Sequence, residues 1–316
     1  LLPLDDAFGA EERAAFLPQA LAAGVFQGRL YRVPFRTDVG LLYYRADLLA
    51  KAGIAPPRTF AELEAAARRL QSPPDRWGFL WQGAQYEGLV CFFLEVLHGH
   101  GGSWIDPETL EVGLDRPEAE AALSFLVRAR GTGGSSPPGV TAYREEETRH
   151  LFQSGRAVFL RSWPYVFRLA QREESAVAGR IGVLPVPTLS GAPGSGTLGG
   201  WGLAVARASR RPEEALAFLR HATSLPSQRL FCAPTGFAPA RKDAYADPEL
   251  LAANPFLADL GRIHASATAR PVVARYAQAS DVLQRHLTAA LAGLATPREA
   301  LAAAARETRL LLGEAP

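Results

Sequence analysis

Methionine is absent from all 316 residues, and lysine occurs only at Lys51 and Lys242. Arginine therefore carries almost all of the positive charge, which together with the alanine excess reads as the imprint of a GC-rich genome. The formal net charge is only +2, so no polyanionic partner is implied. The basic residues are dispersed: Arg68-Arg69 and Arg210-Arg211 are the adjacent arginine pairs, too little for a nucleic-acid-binding stripe. Two cysteines, Cys91 and Cys232, give no disulfide framework. They read either as one bridge or, more commonly for such a pair, as two buried free thiols. No apolar run approaches the ~20 residues of a membrane-spanning helix, and no signal-peptide pattern is present. With Leu1 where an initiator methionine would stand, the expectation is a processed or truncated chain.

Catalytic and metal-binding signatures are missing too. There is no P-loop, no GxSxG, no HExxH and no CxxC pair. The six histidines are scattered. His98-Gly99-His100 is the closest approach to a ligand spacing, and in a glycine-rich helix end it reads as a solvated loop. The run Glu145-Glu146-Glu147 reads as a helix start matched to the helix dipole. No carboxylate pair can be set at glycosidase separation from sequence.

What the chain does have is a soluble globular composition, with 48% apolar and 21% charged residues, and a length that fits two domains. A short helical pattern covers Glu11 to Leu21. Residues 28–35 read as a turn and a strand that Pro34 ends, and residues 40–45 as a second strand. A short helix from Asp47 closes at Gly53. Thr59 with Glu62 forms a capping box for a helix running to about Leu70. Residues 78–81 read as a strand, Tyr86 to His98 as a helix, and Arg116 to Arg130 as a helix. The stretch 131–139, Gly/Ser/Pro-rich, reads as a flexible linker-like loop. Then come a helix over 145–154, a strand over 157–160 and a strand over 181–186. A Gly/Ser/Pro-rich loop spans 188–200, followed by a strand over 203–206. A helix over 212–221 has Pro at its first turn, and an alanine-rich helical end over 280–312 is broken near Thr296-Pro297. Alternating strands and helices predict an α/β architecture.

Two stretches stand out as a binding surface: Arg161-Ser162-Trp163-Pro164-Tyr165 and Thr197-Leu198-Gly199-Gly200-Trp201-Gly202. A tryptophan between glycines has no bulky neighbour to cover its ring, and glycine lets a ligand approach the backbone. An open indole face suits a flat, weakly polar surface such as the C–H face of a sugar ring. Either tryptophan taken alone reads equally as a core or turn residue, and Asp38 alone reads equally as a turn residue before Gly40.

The order of several short motifs resembles the extracellular solute-binding proteins of carbohydrate ABC transporters, most closely the trehalose/maltose branch. These are Tyr31-Arg-Val-Pro34, Asp38-Val-Gly-Leu-Leu-Tyr-Tyr-Arg45, Asp47-Leu-Leu with Gly53, and Pro57-Arg-Thr59-Phe60-Ala-Glu-Leu63. Further on come Tyr86-Glu87-Gly88-Leu89, Phe152-Gln-Ser-Gly155-Arg-Ala157, Trp163-Pro-Tyr165, Leu198-Gly-Gly-Trp201 and Arg270-Pro271. The resemblance covers essentially the whole chain. It implies a two-lobed α/β fold of the periplasmic-binding-protein type with discontinuous lobes, about 1–38 plus 200–264 and about 39–199 plus 265–316, with a ligand cleft between them.

Family members carry a further stretch before Leu4-Asp5-Asp6, so the resemblance also implies that lobe one lacks its opening strands here. A chain of this length made alone is then expected to bind sugar weakly or not at all, and either to associate with copies of itself or to recover binding when the absent segment is supplied as a second chain.

The implied activity is disaccharide binding and delivery to the membrane subunits of an ABC importer, in the periplasm or extracellularly, with a lipid anchor in the precursor. No cofactor, metal, nucleic acid or catalytic residue is called for. Asp38 would accept two vicinal hydroxyls, Trp163 and Tyr165 would stack on or border one sugar ring, and Gly199, Gly200 and Trp201 would add a backbone-plus-ring contact. Arg270 would donate in a fork, Tyr86 and Glu87 would face the same ligand from a helix start, and Arg36 would stand at the rim. The alternatives are a glycerol-phosphate or other polyol-binding protein of the same fold, and a glycoside hydrolase, which would need two opposed carboxyl groups.

Overall fold

The structure, a computed structural model, describes residues 1–192, 194 and 196–313. Its chain divides into two compact units. The first holds Leu1–Val39, Trp163–Leu169 and Leu198–Ala269, and the second holds Gly40–Ser162, Ala170–Thr197 and Arg270–Pro316.

A three-stranded antiparallel sheet organises the first unit. Its central strand, Val33–Val39, lies between Leu198–Leu203 and Ala238–Pro239. The register sets Asp38 opposite Gly199, Thr37 opposite Gly200 and Arg36 opposite Trp201. Leu4, Phe8, Phe16, Leu30, Val33, Val205, Leu219 and Ala240 form the core beneath it.

The four-stranded sheet of the second unit runs in the order Trp77–Leu80, Ala157–Ser162, Leu41–Arg45, Ile181–Pro185, with its first pair parallel and the others antiparallel. Helix Glu87–Gly99 packs into this unit's core, and nearly all of its residues are buried, Phe92 and Phe93 among them. Helices Tyr276–Leu291 and Pro297–Leu312 form the C-terminal layer.

Local chemistry explains the element ends. Thr59 Oγ1 accepts from the Glu62 N–H at 3.1 Å while Glu62 returns a carboxylate to the Thr59 N–H, the reciprocal capping box. Gly53 closes Ala46–Ala52 in the left-handed conformation.

Several expectations are corrected. Pro34 does not end its strand: Val33–Val39 runs through it, and a register shift between Pro34 and Arg36 absorbs the missing N–H. Asp38 therefore lies in a strand and not in a turn. The glycines expected in a loop over 188–200 lie partly in the strand Leu198–Leu203, and residues 204–206 are outside any strand. The partner strand demands this: a Cβ on Gly200 would stand 2.5 Å from the Arg36 carbonyl oxygen, and its φ of +120° is a glycine conformation. The middle of the Gly/Ser stretch 131–139 is packed, with residues 134–137 buried. Ser135 accepts from the Phe79 N–H at 2.9 Å, and buried Ser136 accepts from the Trp81 indole N–H at 2.9 Å. Pro18 splits the first helical pattern into Ala10–Ala14 and Pro18–Ala22.

The helices Leu225–Thr235, Pro248–Ala253 and Leu257–Ala265 had no sequence expectation. The expected lobe boundaries also differ from the units. Trp163–Leu169 groups with the first unit because Phe167 stacks on Phe256 at 5.1 Å, Tyr165 meets Phe237 at 5.7 Å, and Arg168 donates to the Ala253 carbonyl at 3.2 Å.

Candidate functional site

The candidate residues form two sets, one in each unit. In the first unit the glycine-rich strand Leu198–Leu203 makes the set possible. A Cβ on Gly199 would lie 3.1 Å from the Trp163 ring edge and 3.2 Å from the Asp38 Cβ. A bare Cα there lets the indole and the Asp38 side chain flank that point without crowding. Trp163 and Tyr165 are half-buried, whereas Trp201 is 65% exposed and shows most of its ring to solvent.

Arg36 ties the set together. Its guanidinium lies 3.3 Å from the Asp38 carboxylate, 3.7 Å from the centroid of Phe237 and 5.7 Å from that of Trp201. The Phe237 contact is a close cation–π pair. Burial draws the Arg36 pKa down, and the adjacent Asp38 carboxylate works against that.

Behind Phe237 an aromatic column continues through Phe231 at 5.6 Å to Phe35 at 4.7 Å. Phe237 was missed by sequence reasoning. The signal for it was Gly236, which ends helix Leu225–Thr235 in the left-handed conformation and turns the next residue toward the sheet.

The second unit gathers Tyr86, Glu87 and Arg270. Tyr86 is the N-cap residue of helix Glu87–Gly99. Its ring lies against the first turn, where a Cβ on Gly88 would be 2.2 Å away, and the Arg144 guanidinium stands 5.0 Å from its centroid. Burial, reinforced by Glu145, pushes the Tyr86 phenol pKa up. Glu87 accepts from Arg270 at 2.7 Å and also from the hydroxyls of Tyr276 and Ser280. Tyr276 and Ser280 are the further residues that sequence reasoning missed.

Two turns along the same helix, buried Glu95 accepts from Arg161 Nε at 2.7 Å and from the Thr197 N–H at 3.2 Å. Arg161 also donates to the Gln82 side-chain amide oxygen at 3.0 Å. Cys91 and Cys232 are buried free thiols, and burial pushes each up to about 12. They have no nucleophilic role at neutral pH. Among the described residues no group of three or more His, Cys, Asp or Glu side chains could hold a metal ion. No described helix is long and apolar enough to cross a membrane.

An open indole, a half-buried indole, a carboxylate and a held guanidinium around bare glycine backbone can hold a solute. The sequence profile of the bacterial extracellular solute-binding proteins matches residues 1–229. The chain belongs to this family. It binds a solute and is not an enzyme, and family membership puts its place of work outside the cytoplasm. A probable ABC transporter-binding protein of Deinococcus radiodurans is 36% identical over 310 residues, spanning 95% of this chain and 73% of the relative. A mannitol-binding protein of Pseudomonas aeruginosa is 28% identical over 304 residues, spanning 89% and 69%. Among solved structures, maltose-bound MalE3 of T. maritima superposes with a TM-score of 0.93 at 41% identity, covering 99% of this chain and 80% of that one. The fold is thus the α/β periplasmic-binding-protein type, built from two units of discontinuous segments.

Proposed function

We propose that this solute-binding protein takes a disaccharide of the maltose/trehalose class and delivers it to the membrane subunits of an ABC importer. The observation that carries the reading is the first-unit set: Trp163 and Trp201 beside glycine backbone, with Asp38 held by Arg36. A pyranose presents an apolar C–H face to an indole and vicinal hydroxyls to a carboxylate. Tyr165, Gly199 and Gly200 belong to the same contact set. Tyr86 and Arg270 of the second unit are assigned to the same solute, with Glu87 placed beside them as the partner of Arg270.

The maltose-bound relative at 41% identity supports a disaccharide, and trehalose enters as a member of the same class. The mannitol-binding relative supports the second reading, an acyclic polyol. A polyol offers hydroxyls but no ring face, so it leaves the exposed Trp201 unused. An anion such as glycerol phosphate fits less well, because both arginines of the set are already paired, Arg36 with Asp38 and Arg270 with Glu87.

Calorimetric titration with maltose, trehalose and mannitol tests this, with free glucose assayed after incubation. The expected result is saturable disaccharide binding, tighter than mannitol, without glucose release. Mannitol binding tighter than either disaccharide, or no binding of any of them, would overturn the disaccharide reading.

A further inference from the structure

Glu87 opens its helix as the first helical residue, where a carboxylate is favoured by the helix dipole. Its two oxygens are already engaged. Oε1 accepts from Arg270 Nη1 at 2.7 Å and from the Tyr276 hydroxyl, and Oε2 accepts from the Ser280 hydroxyl. A carboxylate has about four acceptor sites, so three of them serve neighbours in this unit.

Those neighbours are themselves fixed. Tyr276 and Ser280 stand four apart on helix Tyr276–Leu291 and so share a face. Ser280 is buried, and the ring of Tyr276 meets buried Trp104 edge-on at 5.8 Å. Arg270 differs from them. Its side chain is 32% exposed, and after one bond to Glu87 a guanidinium keeps about four further N–H donors.

We propose that Glu87 is a positioning residue: with Tyr276 and Ser280 it holds the Arg270 guanidinium so that the remaining donors serve the solute, and Glu87 itself makes no solute contact. This rests on the reading of Arg270 as a solute contact. An arginine held before binding loses less side-chain freedom when the solute arrives, which tightens binding without an added contact. It also fixes the plane of the donor fork, so the spacing and direction of paired hydroxyls on the solute are selected.

The test uses Glu87→Gln, Tyr276→Phe, Arg270→Lys and the double variant Glu87→Gln/Arg270→Lys, titrated with whichever of maltose, trehalose and mannitol the parent binds most tightly. Arg270→Lys is expected to weaken binding by about tenfold or more. Glu87→Gln and Tyr276→Phe are expected to weaken it by a smaller factor. The double variant should match Arg270→Lys within about twofold, because both changes remove one contribution. A double variant weakened by the product of the single factors would overturn the proposal, since Glu87 would then touch the solute itself. Single variants that melt lower yet bind like the parent would also overturn it, as the cluster would then serve folding alone.

A second arm needs no solute. In arginine-labelled protein, the guanidinium resonances lost in Arg270→Lys identify Arg270, and in the parent they should show slow rotation that Glu87→Gln speeds. If the parent binds none of the three solutes, the proposed function fails, and this arm still decides the positioning claim. Rotation as fast in the parent as in Glu87→Gln would overturn it.

Discussion

Helix Glu87–Gly99 carries two arginine–carboxylate pairs eight residues apart, and their surroundings differ sharply. Arg161 and Glu95 are 1% and 0% exposed, whereas Arg270 and Glu87 are 32% and 35% exposed. The inner pair is closed on itself: Gln82 takes the third side of the guanidinium, and Thr197 supplies a backbone N–H to the carboxylate. Burial lowers the Arg161 pKa, but the contact with Glu95 more than offsets this and the net shift is upward. The outer pair is closed on the Glu87 side only, and its arginine keeps donors to spare. The same chemistry therefore serves the core at one turn and, in the function proposed, the solute two turns away. Exposure of the arginine, more than the presence of the pair, separates the two settings.

The largest effect expected is from breaking the inner pair. Glu95→Gln or Arg161→Met leaves one partner buried without its counter-charge, which typically costs about 3–5 kcal/mol. The double replacement Glu95→Leu/Arg161→Met should cost less than either single change. Urea unfolding of the four proteins measures this. Equal stability of Glu95→Gln and the parent would mean that the inner pair contributes nothing and that the contrast with Glu87 is false.

A second effect separates the pairs from a half-buried group on the same helix. His98 is held down to about 4 by desolvation, against an ordinary value of 6.5. The sign follows from proton binding: between those values the unfolded chain holds more protons than the folded one. The contribution is fully present above pH ~6.5 and is lost as pH falls toward the folded value of about 4. Its full size is roughly 3 kcal/mol by the ordinary conversion, of which about 2 kcal/mol falls between pH 7.5 and pH 5. Unfolding curves for the parent and His98→Leu at pH 7.5 and pH 5 measure it, and the variant should lose less stability between them. Parallel losses in both proteins would remove His98 as a source.

The third effect moves to the solute. Trp163→Ala should weaken disaccharide binding by about 1–3 kcal/mol with little change in folding, as loss of an aromatic contact implies. Asp38→Asn should weaken it as well, because the amide keeps the shape but loses the charge and an acceptor oxygen. Calorimetry beside thermal melts separates the outcomes. A variant that melts far lower but binds like the parent would mark the residue as structural, the role that Arg161 has in the second unit.

Much of the helical framework was legible because its signals are local. The Thr59/Glu62 box, the Pro117 start and the Gly53 stop each sit within a few residues of what they control. The strand Leu198–Leu203 was hidden because glycine is a poor strand former and only the partner strand, more than 150 residues earlier, demands it. Ser135 and Ser136 looked like linker residues, yet their hydrogen-bond partners are Phe79, on the strand Trp77–Leu80, and Trp81 just beyond it. The site divides along the same line. Trp163, Gly199, Gly200 and Trp201 announced themselves by composition. The engagement of Glu87 did not, because its three donors lie 183, 189 and 193 residues away.

The smallest effect concerns a third arginine–carboxylate pair, Arg36 with Asp38 in the first unit, which stands between the other two at 16% and 8% exposure. This arginine also packs on the face of Phe237, 3.7 Å from the ring centroid. Phe237→Leu keeps an apolar side chain in place while removing the negative ring face, so the apolar packing on Phe231 and Tyr165 is largely preserved and the cation–π contact is lost. A partly buried contact of this kind is worth about 0.5–2 kcal/mol. Part of that should appear as weaker solute binding, because Arg36 then holds Asp38 less firmly. The double variant Phe237→Leu/Arg36→Lys should bind no more weakly than Arg36→Lys alone, since the ring acts through the guanidinium. Calorimetry on the four proteins decides it, and independent losses from the two changes would make Phe237 a solute contact in its own right.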